Sequence, residues 1–416
     1  MASSVLPKYY ESELENGLKV VAIPMENGSG VITTDIFYKV GSRNEIMGKS
    51  GIAHMLEHMN FKSTKNLEAG EFDKMIKSYG GVTNASTGFD FTHYYIKSSK
   101  QNIDKSMELF SEIMSNLALK DEEFQTERDV VTEERRWRTD NNPMGNLYFK
   151  LFNTAFVYHP YHWTPIGFMD DILNWRIEDI KEFHSMFYQP KNAIVVVAGD
   201  IDKDEVFSRA KKWFGKIENK GDIREVYQVE PIQDGAKEVY IQRDNEVDII
   251  ALAFKIPNFE HKDQVALSAI SEILSAGKSS RLIKNIVDKK KLVNQISAYN
   301  LELKDPSVFV VVAVCNEGVE AEDVKKEILK ELDKIKKGKV TQQELDIVKI
   351  NAKADFVFGL ESSSSVADLY GGYFAKGNIE PLFRYEESLN ALSLKEIEEV
   401  ANRYFDKNIM SVVILK

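Results

Sequence analysis

A chain of 416 residues exceeds one typical hydrophobic core, so two or more domains are expected. With 43% hydrophobic and 29% charged residues it is neither disordered nor fibrous, and a net charge of −11 without any basic stripe argues against nucleic acid and in favour of cationic ligands. No run approaches the roughly 18 apolar residues of a membrane span, and the first residues, MASSVLPKYYESELENG, lack a secretory apolar core. The expected compartment is the cytoplasm, or the periplasm or an organelle if the N-terminus is a processed one.

In chain order, NGLKVVAIP (16–24) and VITTDIFYKVG (31–41) are expected as strands from their β-branched content and their Gly and Asn punctuation. GIAHMLEHMNFKST (51–64) opens a helical stretch, and GEFDKMIKSYGG (70–81) is a second helix stopped by glycines. VTNASTGFDFTHYYIKS (82–98) alternates as a strand does. Long helices are expected through NIDKSMELFSEIMSNLA (102–118) and DEEFQTERDVVTEERRWR (121–138), and NAIVVVAG (192–199) is a buried strand. The single cysteine, Cys315, lies in the apolar run VFVVVAVC, so no intramolecular disulfide is possible and a buried strand thiol is expected.

The second half repeats the first. FHSMFYQPKNAIVVVAG (183–199) has its counterpart in ANRYFDKNIMSVVILK (401–416), with Lys191 on Lys407 at an offset of 216. FYKVGS matches AFKIPN with Lys39 on Lys255, again at 216, and TERDVV matches QELDIV with Glu127 on Glu344 at 217. A duplicated unit follows, and paired helices between strands suggest α+β domains with a largely antiparallel sheet. The polar, turn-rich segment 216–238 is the expected linker between an N-terminal domain, 1–215, and a C-terminal repeat, 239–416.

In a helix over 51–60, His54 and His58 stand one turn apart on one face, close enough for both imidazoles to reach one Zn²⁺. Glu57 overhangs the same site and could take a proton from metal-activated water. The repeat provides an internal control: His54, Glu57 and His58 fall on Ile270, Ile273 and Leu274, the apolar face of a buried helix. Polar groups at the equivalent positions of the first half require a partner, such as a metal. A hydrolytic site needs a third ligand, and TERDVVTEERRW offers Glu127, Glu133 and Glu134. Glu127 and Glu134 lie two turns apart beside Val130 and Val131, which predicts an inward apolar stripe. Glu133 also borders Val130, so helical geometry leaves the choice between it and Glu134 open. His159 and His162 in HPYHW have loop spacing that could suit a metal, but Pro160 and the aromatic neighbours favour an ordered surface turn.

These residues resemble the inverzincin zinc peptidases typified by pitrilysin and mitochondrial processing peptidase, whose signature is HxxEH with a ligand glutamate about 76 residues later. Counted from His58, that spacing selects Glu134. ERDVVTEERR, DNNP, VGSRNE, GGVTNASTGFDFTHY, HPYHWTPIG and YQPKNAIVVVAGD are similar to the family as well, so the likeness spans the chain. It implies half a clamshell of two α+β domains, two such chains closing around a chamber that admits short or unfolded peptides. It implies one zinc held by His54, His58 and Glu134, Glu57 as general base, Glu127 supporting a ligand, and Asn84 and Ala85 on a strand edge that pairs with extended substrate. One departure stands out. Family members supply an Arg and, seven residues later, a Tyr from the second domain, whereas SSRLIKNIVDKKKLVNQIS places Val287 and Asn294 there. The expectation is a heterodimer whose zinc-less homologous partner supplies both groups, with a homodimer using other donors as the alternative. A non-catalytic scaffold subunit of the same fold is the competing function, and the intact HxxEH with Glu134 speaks against it.

Overall fold

The computed structural model describes residues 5–416. Two compact units emerge, each a mixed sheet covered by helices. The first sheet uses β1 (Tyr10–Glu13), β2 (Lys19–Pro24), β3 (Val31–Tyr38), β4 (Val82–Thr87), β5 (Thr92–Ser99) and β6 (Ala193–Gly199), in the order β1-β2-β6-β3-β5-β4. The second uses β7 (Lys237–Ile241), β8 (Ile249–Ile256), β9 (Val293–Asn300), β10 (Ser307–Cys315) and β11 (Ser411–Leu415), in the order β7-β11-β8-β10-β9. Apart from β1 the two orders correspond strand for strand, and in each sheet a single parallel pair, β2 with β6 or β7 with β11, joins otherwise antiparallel neighbours. The duplication expected from the offset of 216 is thus a duplication of topology.

The segment 82–98 is a hairpin rather than one strand. Gly88 and Asp90 lie in the bend, and Ala85 pairs with Tyr94 across it. Gly and Asp tolerate such turns, and the alternation continues in phase through both arms, which hides the break.

The compact units are not the contiguous segments 1–215 and 239–416. One comprises the chain through Glu133 with Trp163–Tyr227 and Phe356–Ile379; the other comprises Glu134–His162, Gln228–Asp355 and Glu380–Lys416. The reason is an exchange of helices. The Pro143–Ala155 helix of the first half packs on β8 and β11, and the Ser363–Lys376 helix of the second half packs on β3 and β6. Gly371 permits the second contact, since a Cβ there would lie 2.0 Å from Cε2 of Phe37. No helix or strand occupies 216–236; in this stretch Glu230 accepts hydrogen bonds from the backbone N–H groups of Val157, Tyr158 and His159.

In the first unit Ile32, Ile36 and Tyr38 of β3 join Met55, Leu56 and Met59 in one apolar core. Burying each such side chain contributes about 1.5–3 kcal/mol, and the sum fixes the helix Ile52–Met59 against the sheet. Its opposite face is left for chemistry. In the second unit Ile270, Ile273 and Leu274 are buried in the equivalent core, as expected, and so is Cys315.

Candidate metal centre

The helix Ile52–Met59 begins at Gly51, whose φ of 84° and close approach to the Ile166 carbonyl leave no space for a side chain. Glu45 closes the helix start: Oε2 accepts from the Gly51 N–H at 2.9 Å and from Trp163 Nε1 at 2.6 Å, and Oε1 accepts from the Ala53 N–H at 2.9 Å. A carboxylate at this end satisfies orphan amides and complements the helix dipole. Burial pushes the Glu45 carboxyl up to about 8, against the opposing pull of the Ala53, Gly51 and Trp163 donors. Ser50, anchored to Asp171 at 2.6 Å, adds a second tether. Glu45→Gln places an amide N–H₂ where only acceptors fit. We expect a loss of about 1–3 kcal/mol in denaturant unfolding. Unchanged stability would refute this role for Glu45.

His54, Glu57 and His58 lie half-buried on the exposed face of this helix, while Ala53, Met55 and Leu56 are fully buried on the other. The two imidazole rings stand 4.7 Å apart, centre to centre. The helix Asp121–Arg135 supplies the carboxylates. His58 Nδ1 lies 2.8 Å from Glu127 Oε1, and the Lys62 ammonium pairs with Glu127 Oε2. Burial raises the Glu127 carboxyl, but the His58 and Lys62 hydrogen bonds outweigh it and hold it below the usual range. With Nδ1 donating to Glu127, the His58 Nε2 lone pair is the one available to a metal.

Glu134 completes the group. His54, His58 and Glu134 each offer a ligand atom, all within 4.8 Å of one another. Two imidazole nitrogens and one carboxylate oxygen are the donor set that suits Zn²⁺ with an open fourth position. Glu133, the other residue that helical periodicity left open, is exposed and is not among the three residues whose ligand atoms gather here. The expected apolar stripe is corrected: Val131 is buried but Val130 is 47% exposed, so Glu127 and Glu134 face the histidines over a half-polar surface. A π-helical turn, Arg136–Asp140, follows, and its Arg138 bonds Glu134 at 3.0 Å.

Glu57 Oε2 accepts a hydrogen bond of 2.5 Å from the Thr87 hydroxyl at the end of β4. That strand is the sheet edge, bonded to β5 alone. Asn84 on it is exposed and Ala85 is half-buried against the core. Sequence reasoning passed over Glu45, Lys62, Thr87 and Trp163. VGSRNE, GGVTNASTGFDFTHY and HPYHWTPIG marked Glu45, Thr87 and Trp163 only as places of likeness.

Among the other five histidines, His93, His159 and His162 have side-chain or backbone partners. The HPYHW turn is buried rather than superficial: His159 is 3% exposed, its Nε2 is 2.8 Å from Asp305, and its Nδ1 accepts from the Tyr161 N–H. His162 Nδ1 is 2.6 Å from the Phe156 carbonyl, and His93 pairs with Asp35 at 2.7 Å. Val287 packs on the second core and Asn294 is exposed on β9.

Comparison with known proteins gives the family. Residues 20–160 match the model of insulinase, peptidase family M16, and 174–351 match that of the peptidase M16 inactive domain. A zinc protease of Helicobacter pylori, PqqE, is 55% identical over 100% of this chain and 94% of its own. The chain belongs to peptidase family M16. Among solved M16-like structures, a protease from H. pylori superposes with a TM-score of 0.97 at 55% identity, covering 99% of this chain and 100% of that one. A peptidase M16 inactive domain from Pseudomonas fluorescens shares the fold with a TM-score of 0.89 at 16% identity, covering 98% and 97%. A probable mitochondrial-processing peptidase subunit beta of Arabidopsis thaliana is 25% identical over 97% of this chain and 77% of its own. The match to the inactive-domain model, 174–351, includes Ile270, Ile273 and Leu274, which replace the polar triplet.

Proposed function

We propose that this M16 chain is a zinc endopeptidase acting on short or unfolded peptides. The observation that carries this reading is the convergence of His54, His58 and Glu134, with Glu57 one residue before a ligand. His54, His58 and Glu134 would hold a zinc ion, which when bound would supply activation of water toward neutral pH and polarisation of a peptide carbonyl. Glu57 takes the proton released as water attacks and delivers it to the departing amine nitrogen. Thr87 donates to Oε2 of Glu57 and so orients the carboxylate for this transfer. Glu127 keeps the proton of His58 on Nδ1. The edge of β4 at Asn84 and Ala85 would pair with an extended substrate backbone, reading main chain before side chain.

Val287 and Asn294 offer no donor comparable to the Arg and Tyr used elsewhere in the family, which supports a heterodimer with a zinc-less homologous subunit closing the chamber. A homodimer with other donors is the second form of the reading. The alternative of a scaffold subunit predicts neither metal nor cleavage. The test is metal analysis together with a quenched-peptide assay on the chain alone and on the complex purified from its native cell. We expect about one zinc per chain, and cleavage that rises when the partner is present. A chain without metal or cleavage in either preparation would refute the peptidase reading, and full activity of the isolated chain would remove the partner.

A further inference from the structure

The second unit contains a cavity of about 510 Å³, lined by residues that the repeat relates to those of the metal centre. Under the repeat offsets of 216 and 217, Glu57, Glu127 and Glu134 fall on Ile273, Glu344 and Asn351, and all three line this cavity. Glu344 retains the pairing role of Glu127 with a different cation. Where Glu127 holds His58, Glu344 receives a two-pronged bond from Arg281, at 2.7 and 2.8 Å. The duplicated site has therefore lost its metal ligands and kept its hollow.

The wall carries five cationic side chains, Arg281, Lys284, Lys289, Lys334 and Lys339, against three carboxyls, Glu272, Glu331 and Glu344. Arg281 and Lys334 are satisfied by Glu344 and Glu331. Lys284, Lys289 and Lys339 also line the cavity, and among the described residues none has a carboxylate within ion-pair distance. They leave an exposed positive mouth on a protein of net charge −11. Deeper, Glu331 is only 4% exposed; Asn285 and Lys334 bond its Oε1, while its Oε2 has no hydrogen-bond partner among the described residues. A buried carboxylate oxygen costs free energy unless a donor reaches it. The cavity thus asks for an anion at its mouth and an N–H donor at its floor, and its volume suits a small ligand.

We infer that this cavity binds a short peptide, with the C-terminal carboxylate at Lys284, Lys289 and Lys339 and an ammonium or amide N–H at Glu331. The choice of a peptide, rather than another molecule carrying both charges, rests on the peptidase reading, whose substrates and products are of this class. The site would retain a product end or anchor a substrate end away from the metal centre.

The test is calorimetric titration of the zinc-loaded full chain carrying Glu57→Gln with trialanine, its C-terminal amide and its N-acetyl form, and with alanine. Saturable trialanine binding is expected, weakened about tenfold by Lys284→Ala combined with Lys339→Ala and to a similar extent by the C-terminal amide. Both lysines are exposed, so the double variant should fold. Glu331→Gln should weaken trialanine and remove the preference over the N-acetyl form. The inference is overturned if the amide or the lysine variant binds as tightly as the parent pair, if alanine alone matches trialanine, or if chelating the zinc abolishes all binding. Zinc content and cleavage by the unsubstituted chain are read separately, so a failed cavity leaves the peptidase reading standing, and a failed peptidase reading shows itself there first.

Discussion

Glu57→Gln is expected to hold zinc with unchanged stoichiometry while peptide cleavage falls by about 10²–10⁴-fold, the usual worth of a positioned general base. The substitution conserves shape, and the Gln oxygen can still accept from the Thr87 hydroxyl that Glu57 engages. None of the three ligand atoms belongs to Glu57, so metal binding has no reason to change. The amide has no basic lone pair with which to accept a proton from water, so only the proton-transfer step is removed. Metal analysis and a quenched-peptide assay on the same sample decide the matter. A zinc-loaded variant with parental turnover would end the assignment of Glu57 as the base, and loss of zinc on this substitution would place Glu57 among the ligands instead.

Glu127→Ala is the second large effect, expected to weaken zinc binding about 10–100-fold in competition with a chelator. Two consequences add. The His58 ring loses the carboxylate that accepts from Nδ1, and with it the preference for the tautomer that presents Nε2. The Lys62 ammonium, paired with the same carboxylate, is left beside an imidazole bound for a cation. Replacing Lys62 with Met in the Glu127→Ala background should therefore recover part of the affinity, which a loss of fold would not permit. Parental affinity in Glu127→Ala would show that His58 is oriented by other contacts.

Much of this centre is written into local sequence. The His54–Glu57–His58 triplet needs only a helical period to bring its members to one face, and the apolar residues Ile270, Ile273 and Leu274 of the repeat show that the helix would otherwise be buried there. The duplication was legible too, because two copies of one unit carry the same punctuation, but the order of strands within each sheet was not. The spacing typical of the family pointed to Glu134, yet helical geometry treated Glu133 as an equal. The structure separates them: Glu133 is exposed, and Glu134 turns toward imidazoles far away in sequence.

What the sequence alone determined is therefore the repeat, the helix bearing two histidines and a glutamate, and the loss of those groups in the second copy, since each is a matter of period and identity within a few turns. Only tertiary structure decided that the two halves exchange the helices Pro143–Ala155 and Ser363–Lys376, that Glu45 caps the histidine helix with help from Trp163, and that His159 is spent on Asp305. Apart from the Glu45 bonds to Gly51 and Ala53, six and eight positions away, these contacts join residues about a hundred or more positions apart. Their partners are selected by packing and by the need to satisfy buried polar groups, and such selection leaves no period in the chain to read.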